Sequence, residues 1–298
     1  MTKPEKVAQP AVTNAILKRH GFHMRKGLGQ NFLTDSKILQ KIVTAADLTP
    51  EDDVIEIGPG IGALTQFLAD SAHQVVALEI DDRLLPILDE TLADYPNAMV
   101  VNEDVLKTDL GALVAEHFDG KHTLKVVANL PYYITTPILL HLLRAQLPLH
   151  SMTVMMQKEV AERLSATPGS KEYGSLSIAV QLVASVATAF TVSRHAFVPA
   201  PNVDSAIVTL TQRTEPLAAL TDPASFDRLV RGAFASRRKT LWNNLVVLFG
   251  KTNKAAIRSA LTIAAIDPGT RAERLSIADF ARLDRALRAA DLISQAHA

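Results

Sequence analysis

The chain has 298 residues, 48% of them apolar and 21% charged, enough to bury one large core and a smaller one. It contains no cysteine, which excludes disulfides, thiolate zinc sites and a cysteine nucleophile together, and its 31 basic and 31 acidic residues cancel. The longest apolar stretch, Leu176–Val192, is broken by Ser177, Gln181, Ser185 and Thr188, so no membrane span or secretion signal is expected, and the cytoplasm is the expected compartment.

Residues 1–30 read as an irregular basic N-terminal arm, with Lys18, Arg19, His20, Arg25 and Lys26 ahead of a Gly27-Leu28-Gly29 break. Thr34 or Asp35 can cap a helix carrying Ile38, Leu39, Ile42 and Val43 at helical spacing. Short apolar runs follow at 53–57, 74–80, 98–102, 124–129 and 152–156, alternating with helix-compatible stretches. Strands that are apolar on both faces and separated by helices predict a parallel sheet covered on both sides. Thr188–Val192 and Ser205–Thr211 read as an antiparallel pair closing its edge. After Thr214-Glu215-Pro216 strand signals cease, and helix starts are suggested at Asp222-Pro223, Thr252 and Ser276. The expected architecture is α/β, with a Rossmann-like sheet domain over 31–215 and a small C-terminal all-α domain over 216–298.

Val54-Ile55-Glu56-Ile57 runs directly into Gly58-x-Gly60-x-Gly62, and 63–69 reads as helix. Glycines there let the chain turn sharply and let a ligand approach the backbone. Glu79 falls at the carboxyl tip of the second strand, where a carboxylate can accept both hydroxyls of an adenosine ribose. Asp104, after the third strand, can accept from an adenine amine. This set also fits a dinucleotide dehydrogenase. The G-x-G-x-G spacing and Glu56 inside the strand lean only weakly away from one.

The fourth strand ends in Asn129-Leu130-Pro131-Tyr132. An adenine amine is a poor nucleophile because its lone pair is delocalised into the ring. Acceptors around its N–H groups, here the Asn129 side-chain oxygen and the Leu130 carbonyl, can localise that pair. Pro131 removes a competing N–H, and Tyr132 can stack on an extruded base. A strand exit with a core tyrosine explains the tetrapeptide alone as well. Its position, converging with Gly58, Glu79 and Asp104 at strand carboxyl ends, favours a site. Phe197 fits either a second stacking face or a loop aromatic plugging the core edge. The nine histidines show no ligand spacing in a helix, so no metal is expected, and no nucleophile elbow supports a hydrolase. Arg228–Arg258 holds eight basic residues and no acid, which fits a phosphate-binding surface or a solvated helix face equally.

Several motifs, in order along nearly the whole chain, resemble the ribosomal RNA adenine dimethyltransferases. They are Gly29-Gln30-Asn31-Phe32-Leu33, the loop from Val54, Glu79, Glu103-Asp104, the segment from Asn129, and Phe197-x-Pro199-x-Pro201-x-Val203-x-Ser205. Arg237-Arg238-Lys239-Thr240-Leu241 with Asn243-Asn244-Leu245, and Arg271-Ala272-Glu273 with Leu275-Ser276, are similar to the bacterial small-subunit branch. The resemblance implies a seven-stranded class I methyltransferase domain that uses S-adenosyl-L-methionine to dimethylate two adjacent adenosines near the 3′ end of 16S rRNA. It implies cofactor contacts from Asn31, Leu33, Gly58, Gly60, Glu79, Asp104 and Asn129, and RNA contacts from Arg237, Arg238 and Lys239. The expected partner is that RNA within a small subunit or its precursor, met by a monomer during subunit biogenesis. Trp242 stands where this branch suggests an arginine. A nucleotide-cofactor oxidoreductase and a non-catalytic RNA-binding assembly factor are the competing readings.

Overall fold

The structure is a computed structural model that describes residues 6–25, 27 and 29–293; Lys26 and Leu28 of the basic arm lie outside them. The arm is not irregular. Pro10–Arg19 forms a helix, α1, which buries Ile16 and Leu17. Pro10 sets the helical φ in the first turn, and Lys18 and Arg19 occupy the last turn, where cations suit the helix dipole. Of the arm's basic residues, Lys18 and Arg19 are exposed at the carboxyl end of this helix.

A two-residue strand, β1 (Phe32–Leu33), precedes α2 (Ser36–Ala45), whose N-cap is Asp35, accepting from the Lys37 and Ile38 amides. The alternating part then runs β2 (Asp52–Ile57), α3 (Ala63–Ala69), β3 (Gln74–Leu78), α4 (Leu85–Thr91), β4 (Ala98–Val101), α5 (Leu110–His117), β5 (Thr123–Asn129), α6 (Thr135–Arg144) and β6 (Leu149–Gln157). After α7 (Lys158–Ser165) and α8 (Ser175–Gln181) come β7 (Ala184–Val192), the short β8 (Phe197–Val198) and β9 (Ser205–Gln212). Seven strands make one sheet in the order β4-β3-β2-β5-β6-β9-β7. The pairs from β4 through β6 are parallel, and β9 returns antiparallel to β6. The class I arrangement expected from the resemblance is present. All six β2 residues are buried, as a central strand covered by helices on both faces requires.

Two charged side chains are built into the start of that centre. Lys125 on β5 is 6% exposed and donates to the Asp47 carbonyl at 2.6 Å and to Asp52 at 3.0 Å. Asp52 also accepts from the Thr49 amide at 2.7 Å. The pair clamps β5 to the first residue of β2.

The chain divides into two compact units. One comprises the chain up to Ala161 with Val186–Gln212; the other comprises Glu162–Ser185 with the chain from Arg213 onward. The second holds α9 (Pro223–Ala233), α10 (Leu241–Phe249), α11 (Lys254–Ile263) and α12 (Ile277–Ala289). Asp222 and Ser276 cap α9 and α12. The start expected at Thr252 falls in a 3-10 turn, Lys251–Asn253, and α11 begins at Lys254. Residues 162–185, which the sequence groups with the sheet, join the helical unit because Tyr173, Ile178 and Leu182 enter its apolar core. Among the described residues no helix is long and apolar enough to cross a membrane.

Replacing Asp52 with alanine strands the Lys125 ammonium in a buried setting. The expected loss is ~3 kcal/mol of unfolding free energy, read from urea denaturation at neutral pH. A loss below ~1 kcal/mol, the range of exposed pairs, would show that the clamp contributes little.

Candidate active site

β2 and β5 are neighbours, yet the chain proceeds from β2 towards β3 and β4 on one side and from β5 towards β6 on the other. Connections that diverge in this way leave a crevice at the strand carboxyl ends. A crevice of about 1060 Å³, counting space open to solvent, lies there. It brings together Gly58 and Gly60, Glu79, Asp104, Asn31 and Leu33, and the run Asn129–Tyr132.

Gly58 has φ +70°, and a Cβ on it would meet no atom within 4 Å. Its backbone is open to close approach by a ligand. Glu79 is 5% exposed and accepts from the Asp81 amide at 2.8 Å and the Gly60 amide at 3.3 Å. Burial nevertheless pushes its carboxyl up to about 7. Glu56 is deeper still. Burial, with the charge of Glu79 adding to it, raises its carboxyl to about 8, and its Oε2 has no hydrogen-bond partner. A buried carboxyl with one unpartnered oxygen, lining a crevice, fits a ligand carrying an ammonium group, and a carboxylate at a strand tip fits vicinal hydroxyls. The donor set therefore suits S-adenosylmethionine. Asp104 accepts from the Leu106 amide at 3.1 Å and has Lys107 3.3 Å away.

Asn129 closes β5. Its Nδ2 donates to the Asn31 carbonyl at 3.4 Å, which orients the amide and leaves Oδ1 as an acceptor. The Leu130 amide bonds Met155 of β6, while the Pro131 carbonyl accepts from Ile134 and Thr135. Among the described residues no donor reaches the Leu130 carbonyl. Two acceptors thus stand next to each other in the chain without donors among the described residues. Tyr132 is half-buried and its hydroxyl bonds Ser205; burial raises its phenol above the usual range.

Three lining residues were not legible as site residues. Ile80 is 52% exposed directly after a buried strand, an exposed apolar surface whose only sequence signal is its position next to Glu79. Gln30 donates to Asp81 at 2.7 Å, and Tyr133 is 54% exposed at the rim. Gln30 lies within the resembling motif, but its partner 51 residues away is invisible to local reading.

Phe197 is not brought to the crevice. It is 3% exposed, pairs across β1 with Leu33 and joins the core. The basic cluster belongs to the helical unit. The Arg237 guanidinium donates to the Lys171 and Tyr173 carbonyls, and Arg237, Arg238 and Lys239 are all exposed. Asn244, 3% exposed, donates to the Ala233 and Ser236 carbonyls and holds the turn before the cluster. Trp242 carries the Arg258 guanidinium 4.8 Å over its ring. No group of three or more metal-ligating side chains occurs among the described residues.

Comparison with known proteins gives one family. The ribosomal RNA adenine dimethylase family matches residues 21–288. Ribosomal RNA small subunit methyltransferase A of Latilactobacillus sakei is 60% identical over 285 residues, covering 95% of this chain and 96% of that protein. The protein of the same name from Streptococcus thermophilus is 56% identical over 289 residues, covering 96% and 100%. Among solved structures, a dimethyladenosine transferase from Plasmodium falciparum superposes with TM-score 0.70 at 28% identity, covering 87% of this chain and 98% of that one. The 23S rRNA methyltransferase ErmE gives 0.64 at 30%, covering 87% and 100%.

Glu56 holds its proton up to about pH 8 when folded but only to 4.5 otherwise. The folded state binds the extra proton between those values, so this group makes stability fall as pH rises from about 4.5 to 8. Glu56→Gln is expected to flatten that decline, measured as urea midpoints at pH 5 and pH 8.5, leaving only the smaller part due to Glu79. An undiminished decline would mean that the carboxyl is not held protonated.

Proposed function

The chain belongs to the ribosomal RNA adenine dimethylase family, and from that premise we propose that it dimethylates N6 of two adjacent adenosines near the 3′ end of small-subunit rRNA. The cofactor is S-adenosylmethionine, which when bound supplies an electrophilic methyl group on a sulfonium. The observation that carries the reading is the pair of acceptors without donors, Asn129 Oδ1 and the Leu130 carbonyl, at the end of β5.

The side chains divide the work by charge and position. Glu79, once ionised, accepts the two ribose hydroxyls, while the Gly58 and Gly60 backbone lets the cofactor lie close against the turn. Asp104 accepts from the cofactor adenine amine, with Ile80 as an apolar face beside it. Asn31 and Leu33 form the opposite wall, and Glu56 faces the cationic amino group. For the acceptor, Asn129 and Leu130 take the two N–H bonds of the target amine and draw its lone pair out of conjugation. Pro131 contributes no N–H to compete, and Tyr132 stacks on the flipped base. No strong general base is required, because N6 becomes cationic as its bond to the methyl forms and the C–S bond breaks, and that cation is acidic enough to release its proton to solvent afterwards; the chain supplies in-line positioning and a water-poor crevice.

Recognition of the RNA falls to Arg237, Arg238 and Lys239, all exposed on the helical unit, with Arg237 also bonded to the Lys171 and Tyr173 carbonyls. The enzyme acts as a monomer without a metal on a small subunit or its precursor, in the cytoplasm where that particle assembles. An oxidoreductase would leave the paired acceptors without a purpose.

Methyl transfer from labelled cofactor to small-subunit particles tests the reading, with N6,N6-dimethyladenosine as the expected product. Monomethyl product alone, or label in large-subunit RNA, would overturn it. Asn129→Ala should lower kcat by ~10²–10³ while leaving the protein folded. Retention of full activity would remove Asn129 from the chemistry. Cofactor binding should depend on pH with a definite sign. Binding needs the ionised Glu79, whose carboxyl lies at about 7, so affinity falls as pH drops through that value. Titration calorimetry should give a Kd at least about tenfold weaker at pH 6 than at pH 8, and Glu79→Gln should shrink that factor, leaving the part due to Glu56.

A further inference from the structure

The glycine turn runs into α3, a helix of only seven residues, all of them buried. A helix that short has little stability of its own, so whatever fixes it also fixes the turn in front of it. Gly62 caps α3 with φ +84°, and a Cβ there would lie 2.9 Å from Thr91 Oγ1 at the end of α4. The turn is therefore packed directly against α4. Gln66, 1% exposed, joins the two helices by donating to the Thr91 carbonyl at 2.9 Å.

The other half of that glutamine is held from the amino-terminal side of the chain. Its Oε1 accepts the Val7 amide at 3.0 Å, and the Val7 carbonyl accepts the Thr13 hydroxyl at 2.8 Å. Next to it, the Lys6 ammonium uses all three of its donors. It bonds the Gln66 carbonyl at 3.0 Å, Asp70 at 2.7 Å and the Tyr95 hydroxyl at 3.0 Å, and it lies 4.5 Å over the Phe67 ring. Asp70 is the C-cap of α3, so a cation sits where the helix carbonyls run out. Further along, the same segment meets the far side of the crevice. The His23 carbonyl accepts from Arg83 at 3.1 Å, and Gln30 bonds Asp81, whose amide holds Glu79.

We propose that Lys6 is a positioning residue for the cofactor: it straps the amino-terminal segment to the back of α3 and so holds the Gly58–Gly62 turn in its binding geometry. The contact is remote from any ligand. It acts through Gln66 and Thr91, which pack against the turn. The proposal rests on S-adenosylmethionine being the ligand of the crevice.

Lys6→Met keeps the apolar stem over Phe67 and removes the three donors. Thr13→Val loosens the same strap at Val7 without touching α3. The full chain would be assayed for S-adenosylmethionine Kd by calorimetry, for kcat at saturating cofactor and RNA, and for amide hydrogen exchange at Gly60 and Gly62, all well below the melting temperature. Lys6→Met should raise Kd about fivefold to tenfold and speed exchange at both glycines, with kcat unchanged. Thr13→Val should shift both in the same direction by less, and Lys6→Arg should restore them in part. A variant that melts earlier but keeps parental Kd and exchange would overturn the proposal, because Lys6 would then be a stabilising contact only. Exchange is measured without cofactor, so failure of the parent to bind S-adenosylmethionine would sink the cofactor reading and leave the strap separately tested.

Discussion

β2 and β5 lie side by side at the centre of the sheet, bonded in parallel register from Asp52 opposite Thr123 to Ile55 opposite Val126. Beyond that register each chain leaves in its own direction, and neither backbone can complete the other's hydrogen bonds. The consequences are local and chemical. β2 runs two residues further beside β3 and then turns at Gly58, which has a positive φ. β5 runs on to Asn129, where a side-chain amide and a carbonyl are left facing space rather than a partner strand. The clamp of Lys125 on Asp52 at the opposite end ties these two strands together, and the glycine turn and the Asn129–Tyr132 run take their positions from them.

Carboxyl groups surround that divergence at close quarters, and their surroundings separate their protonation. Asp81 is held below the usual carboxylate range by Arg83, helped by Gln30, so it stays ionised. Glu79 and Glu56 are pushed upward by burial, Glu56 the further. A protein selecting for stability alone would not bury Glu56 with an oxygen left unpaired. Its presence beside an open glycine turn makes sense only if a ligand completes it, so a stability cost in the free protein becomes binding energy when the crevice fills.

Local chemistry was legible in the sequence, and long-range pairing was not. The buried run ending at Gly58, the placement of Glu79 at a strand tip and the exit at Asn129 each depend on a few consecutive residues, and the structure assembles them as expected. Caps with a side-chain acceptor, Asp35, Asp222 and Ser276, were equally readable. Thr240 caps α10 by the same device, but it directly follows Arg238 and Lys239, and charge drew the reading towards a surface rather than a helix start. The helix in the amino-terminal arm was missed because its basic residues crowd one end while Ile16 and Leu17 do the burying. Arg237, Phe197 and residues 162–185 illustrate the larger limit. Their partners are Lys171, Leu33 and the helical core, and no periodicity in one segment encodes which distant segment it meets.

The fixed amide of Asn129 has an implication for the order of events at the target nitrogen. Its orientation is set by the Asn31 carbonyl, so it offers oxygen and cannot flip to offer nitrogen without breaking that bond. Two acceptors match an unmodified adenine amine, which has two hydrogens. After one methyl is transferred only one hydrogen remains, and one of the acceptors must face carbon or water. On the proposed roles of Asn129 and Leu130, the two transfers at a single base are chemically unequal: the first would proceed with a complete set of hydrogen bonds, the second with half of it. Any pause on the way to the dimethyl product belongs at the half-modified base, with the monomethyl amine as the species that accumulates.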